Sequence, residues 1–209
     1  MILEMIPKAL YSRPSIKRLL FDGHSSVMHK ALHHNLLGKE IYISTPLIVY
    51  ILRGRQIIER SDLPATIIPE NHLLFLPKDL YLVSDYVHDK EGIFEATLFF
   101  LDQRIIDKYL QSSAAEHQHP ITTDKPLFTT PANTQIYNFM DSLKRTYPVP
   151  QEHHPLLELK LLELLHLLAI QDHKRSFLAA LTDSSQPGRK RDIRSFMEEN
   201  VTKNLNLED

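Results

Sequence analysis

Histidines are the first residues to test for chemistry, because imidazole serves both as a metal ligand and as an acid or base near neutral pH. A metal site built on a strand-rich scaffold draws clustered His and Glu from adjacent strands, often through a His-x-His element. The only His-x-His is His117-Gln118-His119, which precedes Pro120 in a polar stretch rather than a strand-like run. His33-His34 and His153-His154 place neighbouring rings on different sides of a helix or strand, which disfavours chelation. Between Glu40 and Leu101 the only histidines are His72 and His88, with no Glu at a matching spacing. Nucleophilic chemistry finds no footing either. Cysteine is absent, no Gly-x-Ser-x-Gly elbow exists, and none of the five glycines sits in a phosphate-cradling run. Glu198-Glu199 reads as a solvated helix face. No catalytic residue, metal or cofactor is expected, and the chain reads as a non-enzyme.

Binding is better represented. A small barrel can hold one small ligand, and Tyr42, Tyr50, Arg53, Phe75, Tyr81 and Phe94 are the candidates to line such a pocket. The competing reading has these side chains filling the barrel as core. Arg189, Lys190, Arg191 and Arg194 crowd a helix start and suit contact with nucleic-acid phosphates. A plain charged linker beside a helix explains them equally, and four basic residues without a recognition element would not read base sequence.

Composition bounds these readings. The 209 residues suit one sizeable domain or two small ones, and a formal charge of −2 argues against a chain-wide nucleic-acid surface. Absence of cysteine fits a reducing compartment. Lys8, Arg13, Lys17 and Arg18 interrupt the apolar positions of the first thirty residues, so no signal-type segment is read there. With no uncharged apolar run near the roughly 20 residues a membrane span needs, a cytoplasmic location without membrane contact is expected.

The elements that must position these residues divide the chain in two. Ile16 to Phe21 reads as a strand, while Val27 to Leu36 stays open between helix and strand. From Glu40, short β-branched and aromatic runs recur: 41–45, 47–52, 56–58, 65–68, 72–76, 81–86 and 93–100. Gly54, within Arg53-Gly54-Arg55, suits a tight hairpin joining 47–52 to 56–58. This spacing predicts an antiparallel sandwich or small barrel. Helical periodicity takes over at 102–111 and 134–146, with 117–130 as a loop and Phe177 to Leu181 as a further helical turn or two. Thr182 to Gly188 has linker composition, and Ile193, Phe196, Met197 and Val201 mark a last amphipathic helix.

The densest signal is Pro155 to Ala169, PLLELKLLELLHLLA, in which nine of fifteen residues are leucine. At about 100° per residue, Leu157, Leu161, Leu164, Leu165 and Leu168 gather into one core face. Leu156, Leu159, Leu162 and Leu167 fall elsewhere, among Glu163 and His166, and leave apolar surface for a second partner. A helix wholly wrapped by its own domain and a dimerisation helix both fit.

Taken in order, "YILRG", "HLLFLPKDLYLVSD", "LLELKLLELLHLLA" and "RDIRSFMEENVTKNLNLED" resemble the AraC/XylS family of bacterial transcription activators. The resemblance implies an α+β chain: a cupin-like antiparallel β-barrel with an effector-binding role at 1–101, and a helical dimerisation segment at 102–181. A linker at 182–191 and the first helix of a truncated helix-turn-helix domain at 192–209 complete it. Both recognition helices are absent, so DNA binding is implied only for a longer parent chain. The expected function is signal sensing and homodimerisation through the leucine-rich helix, with a small-molecule or protein effector. A cupin-type binding protein or enzyme, and a protein–protein adaptor with a filled barrel, are the alternatives.

Overall fold

The computed structural model describes residues 3–60, 63–112, 127–147, 151–152, 154–172 and 175–185. Ten strands come first: β1 (Glu4–Ile6), β2 (Ile16–Phe21), β3 (Ser26–Leu32), β4 (Leu36–Ile43), β5 (Leu47–Arg53), β6 (Arg55–Arg60), β7 (Leu63–Ile68), β8 (His72–Leu76), β9 (Leu80–Tyr86) and β10 (Phe94–Phe100). Helix α1 (Gln103–Ser112), β11 (Phe128–Pro131), α2 (Thr134–Thr146), β12 (Gln151–Glu152), α3 (His154–Gln171) and α4 (Ser176–Ser185) follow. The strands form a five-stranded sheet, β1-β4-β9-β6-β7, and a seven-stranded sheet, β11-β8-β5-β10-β3-β2-β12. Pairing is antiparallel except at β1–β4 and β12–β2. The fold is α+β.

Two cores follow from this layering. Ile43, Ile58 and Val83 of the smaller sheet pack against Val49, Leu74 and Leu98 of the larger. The opposite face of the larger sheet, with Ile48, Tyr50 and Phe99, packs against the helices. A sheet covered on both faces needs near-continuous apolar strands, which is why β5 opens with five buried residues in succession. The same burial resolves Val27 to Leu36. It belongs to β3 and β4, with Val27 turned to the helices and Met28 to the other sheet. Asp22 Oδ1 makes the preceding turn, accepting from the His24 and Ser25 amides.

The expected hairpin at Gly54 is corrected. β5 pairs with β8 and β10, whereas β6 pairs with β7 and β9, so the chain crosses between sheets at this glycine. Gly54 holds φ +83°, and an added Cβ would meet the Tyr86 carbonyl oxygen. Strain at positive φ and the backbone clash add, so Gly54→Ala should cost about 2 kcal/mol or more. In thermal denaturation this amounts to a Tm lower by roughly 4–8 °C.

The loop expected through 117–130 is also corrected at its end. β11 joins the edge of the larger sheet beside β8, because Phe128 is buried 5.1 Å from the Phe177 ring. His117, His119 and the remainder of that stretch before Leu127 lie outside the described residues. Helix α2 begins where Asn133 accepts a 2.9 Å bond from the Ile136 amide. Helix α4 is capped by Asp172, which accepts from the Phe177 amide. The linker expected from Thr182 is corrected at its start: α4 runs to Ser185, and the Ser184 and Ser185 hydroxyls donate to the Leu181 and Thr182 carbonyls.

Candidate functional site

Alternation along the strands separates the six side chains expected to share a pocket. Tyr81 and Phe94 are buried between the sheets, while Tyr50 and Phe75 are buried on the helix side. Tyr42, between the inward Ile41 and Ile43, is partly exposed on the outer surface of β4, and Arg53 is half-exposed. The cavity between the sheets amounts to about 50 Å³. That is room for a few water molecules and well below the roughly 150 Å³ of an apolar cavity that takes up benzene. Lys30 and Gln56, two residues that line the cavity between the sheets, both donate to fully buried Asp85, Gln56 Nε2 at 2.7 Å.

A larger cavity, about 270 Å³, lies outside the barrel between the seven-stranded sheet and α2. Its floor is one row across four strands: Lys17 opposite His29, His29 opposite Thr97, Thr97 opposite Tyr50. The β5–β10 register shifts at Glu95/Ala96, and this bulge brings both Leu52 and Arg53 to the same groove. The wall is α2, where Tyr137, Met140, Asp141 and Lys144 recur at helical spacing. Of the six expected pocket residues, Tyr50 and Arg53 are the two that line this groove. Sequence periodicity alone does not join Lys17, His29 and Lys144, because they stand on β2, β3 and α2, and only strand register and helix docking bring these together.

Charge converges behind the groove on Glu95, 8% exposed. Arg53 Nε stands 3.4 Å, His29 Nε2 3.5 Å and Lys144 Nζ 4.0 Å from its carboxylate. The Tyr50 hydroxyl donates to Asn71 Oδ1 at 3.1 Å, and burial raises its pKa, assisted by Tyr137 and Glu70. Burial lowers the pKa of His29. Glu95 opposes the shift and Lys144 and Lys17 reinforce it. The unfolded chain therefore binds a proton at this position more readily than the folded one. The contribution of neutral His29 to stability is complete above the unfolded value of about 6.5 and is lost as pH falls from there through the lowered folded value. Thermal denaturation from about pH 7 to pH 5 should show a steeper loss of Tm in the native chain than in His29→Gln.

Helix α3 offers the other candidate surface. Leu157, Leu161, Leu164, Leu165 and Leu168 are buried against the sheet and neighbouring helices. Of the expected second face, Leu156, Leu162 and Leu167 are partly buried, Glu163 and His166 are exposed, and Leu159 is 62% exposed. The His166 ring meets Tyr109 edge-on at 4.9 Å. Ile170, 64% exposed and three turns beyond Leu159, completes the stripe. The basic group Arg189, Lys190, Arg191 and Arg194 lies outside the described residues. Among the described residues, no group of three or more His, Asp or Glu is arranged to hold a metal ion, and no helix is long and apolar enough to cross a membrane. His72 Nδ1 instead lies 3.0 Å from the Glu70 carbonyl oxygen, and His88 lies 4.0 Å from the Glu70 carboxylate.

Comparison with known proteins yields a family match and a set of related folds. The model of the ExsA N-terminal regulatory domain matches residues 46–180. Apo ToxT K231A from Vibrio cholerae is 12% identical, with 87% of this chain and 76% of that one covered at a TM-score of 0.53. ToxT from Vibrio cholerae O395 bound to (E)-4-(8-methylnaphthalen-1-yl)but-3-enoic acid is 10% identical, covering 88% and 72% at 0.50. No curated protein sequence matches. At these identities the structural likeness speaks for the fold alone.

Proposed function

We propose, from the premise that this chain belongs to the ExsA N-terminal regulatory domain family of AraC-type regulators, that it relays a signal by homodimerising through α3. In this reading residues 1–101 and 102–181 sense and dimerise, while 182–191 and 192–209 lead into a DNA-binding domain of the longer parent. There Arg189, Lys190, Arg191 and Arg194 contact phosphates. The relay acts in the cytoplasm, by binding rather than by catalysis.

The observation that carries this reading is the division of labour on α3. Five leucines face the chain's own core, while Leu159 and Ile170 stay 62% and 64% exposed. Leu156, Leu162 and Leu167 border them. Burying a Leu or Ile side chain contributes about 1.5–3 kcal/mol, and an isologous contact counts each residue twice. Leu159 and Ile170 of two copies thus contribute about 6–12 kcal/mol before the cost of association, and burial of the bordering leucines must add to it for a micromolar dimer. The interior cavity of about 50 Å³ supports a signal read outside the barrel, by a groove or by a protein partner.

The reading is tested by fusing residues 1–209 to a DNA-binding module that occupies its operator only as a dimer. Repression of a reporter is the expected result. An operator left unoccupied, with the fusion folded and abundant, would contradict it.

A further inference from the structure

We propose that the outer face of the five-stranded sheet is a docking surface for a partner protein's amphipathic helix, one whose apolar stripe is bordered on both sides by Lys or Arg. That such docking carries a signal rests on the regulatory reading above; the binding itself does not.

The face is apolar and uncovered. The large buried apolar residues of α1 to α4 join the core on the larger sheet, and the core between the sheets takes none of them. Among the described residues the smaller sheet therefore has no helical layer on its outer side, where a layered fold would carry one. Alternation turns Ile41, Ile43, Ile58 and Val83 inward and leaves Tyr42, Ile57, Leu80 and Leu82 outward. Register sets the outward residues in rows: Met5 beside Tyr42 beside Leu80, then Leu82, then Ile57 beside Ile67. Met5 and Ile67, on the two edge strands, are 53% and 62% exposed. A contiguous apolar patch of this kind marks an interaction surface.

Charge on the face selects the partner. Leu82 stands opposite Glu40 on β4 and Glu59 on β6. Neither carboxylate has a hydrogen bond or an ion pair with another described residue. At a strand spacing of about 4.8 Å their backbones lie about 10 Å apart, close to one helix diameter. A helix laid along β9 rests its apolar stripe on Leu80 and Leu82 and carries its flanks over the two carboxylates. Lys or Arg at those flanks makes charge-assisted bonds. Neutral flanks leave both carboxylates desolvated without partners, and acidic flanks repel them. The same reasoning disfavours a second copy laid face to face, which would crowd four carboxylates onto one apolar patch. Arg55, two residues further along β6 from Ile57, is held over the Tyr86 ring, 4.9 Å from its centroid.

Fluorescence anisotropy on the whole chain tests the assignment with two labelled helical peptides of about 14 residues, roughly the length of β9. Both carry the same leucine stripe and are constrained as helices by side-chain lactams, because free helices this short are marginal in water. One borders the stripe with Lys, the other with Glu. At about 0.15 M salt the Lys peptide is expected to bind with Kd of about 100 μM or tighter, and the Glu peptide at least about tenfold more weakly. Glu40→Lys combined with Glu59→Lys should reverse that preference, with circular dichroism unaltered. Leu159→Lys, on α3, should leave both affinities unchanged. Equal binding of the two peptides, no binding at about 1 mM, or a loss in Leu159→Lys rather than in the Glu40 and Glu59 variant would overturn the proposal. Two other occupants would also overturn it. Ile67→Lys lowering the sedimented mass would give the face to a second copy, and Arg194→Glu raising peptide affinity about tenfold would give it to the chain's own residues 189–201. Binding without dimerisation would remove the regulatory reading and leave the face standing. Dimerisation without binding would overturn the face alone.

Discussion

Leu159→Lys should convert a dimeric chain to a monomer without altering its fold. At 62% exposure Leu159 contributes little to its own core, and surface substitutions of this kind usually stay within about 0.5 kcal/mol of the parent stability. In an isologous contact the same change acts twice. Two apolar contacts of about 1.5–3 kcal/mol each are lost, and two ammonium groups must stay hydrated where the helices should meet. The dimer should weaken by at least about a thousandfold, read by sedimentation velocity beside circular dichroism. Ile170→Lys should act in the same direction. Leu161→Lys should not, because Leu161 is fully buried and its replacement unfolds the domain rather than separating two folded copies.

Asp85→Ala should produce the largest loss of stability of any single substitution considered. Asp85 is fully buried, and it neutralises Lys30, whose side chain is 12% exposed. Lys30 Nζ also lies 5.6 Å from the Phe94 ring centroid, and Gln56 donates to the same carboxylate. Removing Asp85 leaves an ammonium and an amide without their acceptor in a cavity too small for bulk water. Breaking a buried pair in this way costs about 3–5 kcal/mol. For a domain of this size the Tm should fall by roughly 6–20 °C. The double variant Asp85→Ala with Lys30→Met should recover much of that loss, because the penalty lies in the stranded charge. Equal damage from the single and double variants would assign the cost to packing instead.

What could be read from the residues depended on whether a pattern names its partner. The core face of α3 was legible because a 3.6-residue period fixes which leucines share a side, and all five expected core leucines are buried. Strands β5 through β10 were legible because β-branched runs between Pro, Gly and Asn have few other solutions. At Gly54 the residue announced a positive φ, but positive φ does not say whether the next strand returns to the same sheet or crosses to the other. The six expected pocket residues dispersed for a related reason. Alternation assigns Tyr50 and Tyr81 to faces of their own strands, and only the tertiary fold decides that one face looks to the helices and the other to the second sheet.

The groove was less legible still. Lys17, His29 and Lys144 come together through the register of β2 and β3 and the docking of α2. The bulge that brings Arg53 into line with Tyr50 carries no sequence mark. Ile170 falls just past the leucine run, at a position where continuing the helical period one more turn would have found it.

The central claim, that the outward stripe of α3 joins two copies, is met most directly by sedimentation equilibrium of the unmodified chain at tens of micromolar. The account predicts a species of twice the 24.3 kDa chain mass, dissociating on dilution. A single species at the chain mass across that range would contradict it.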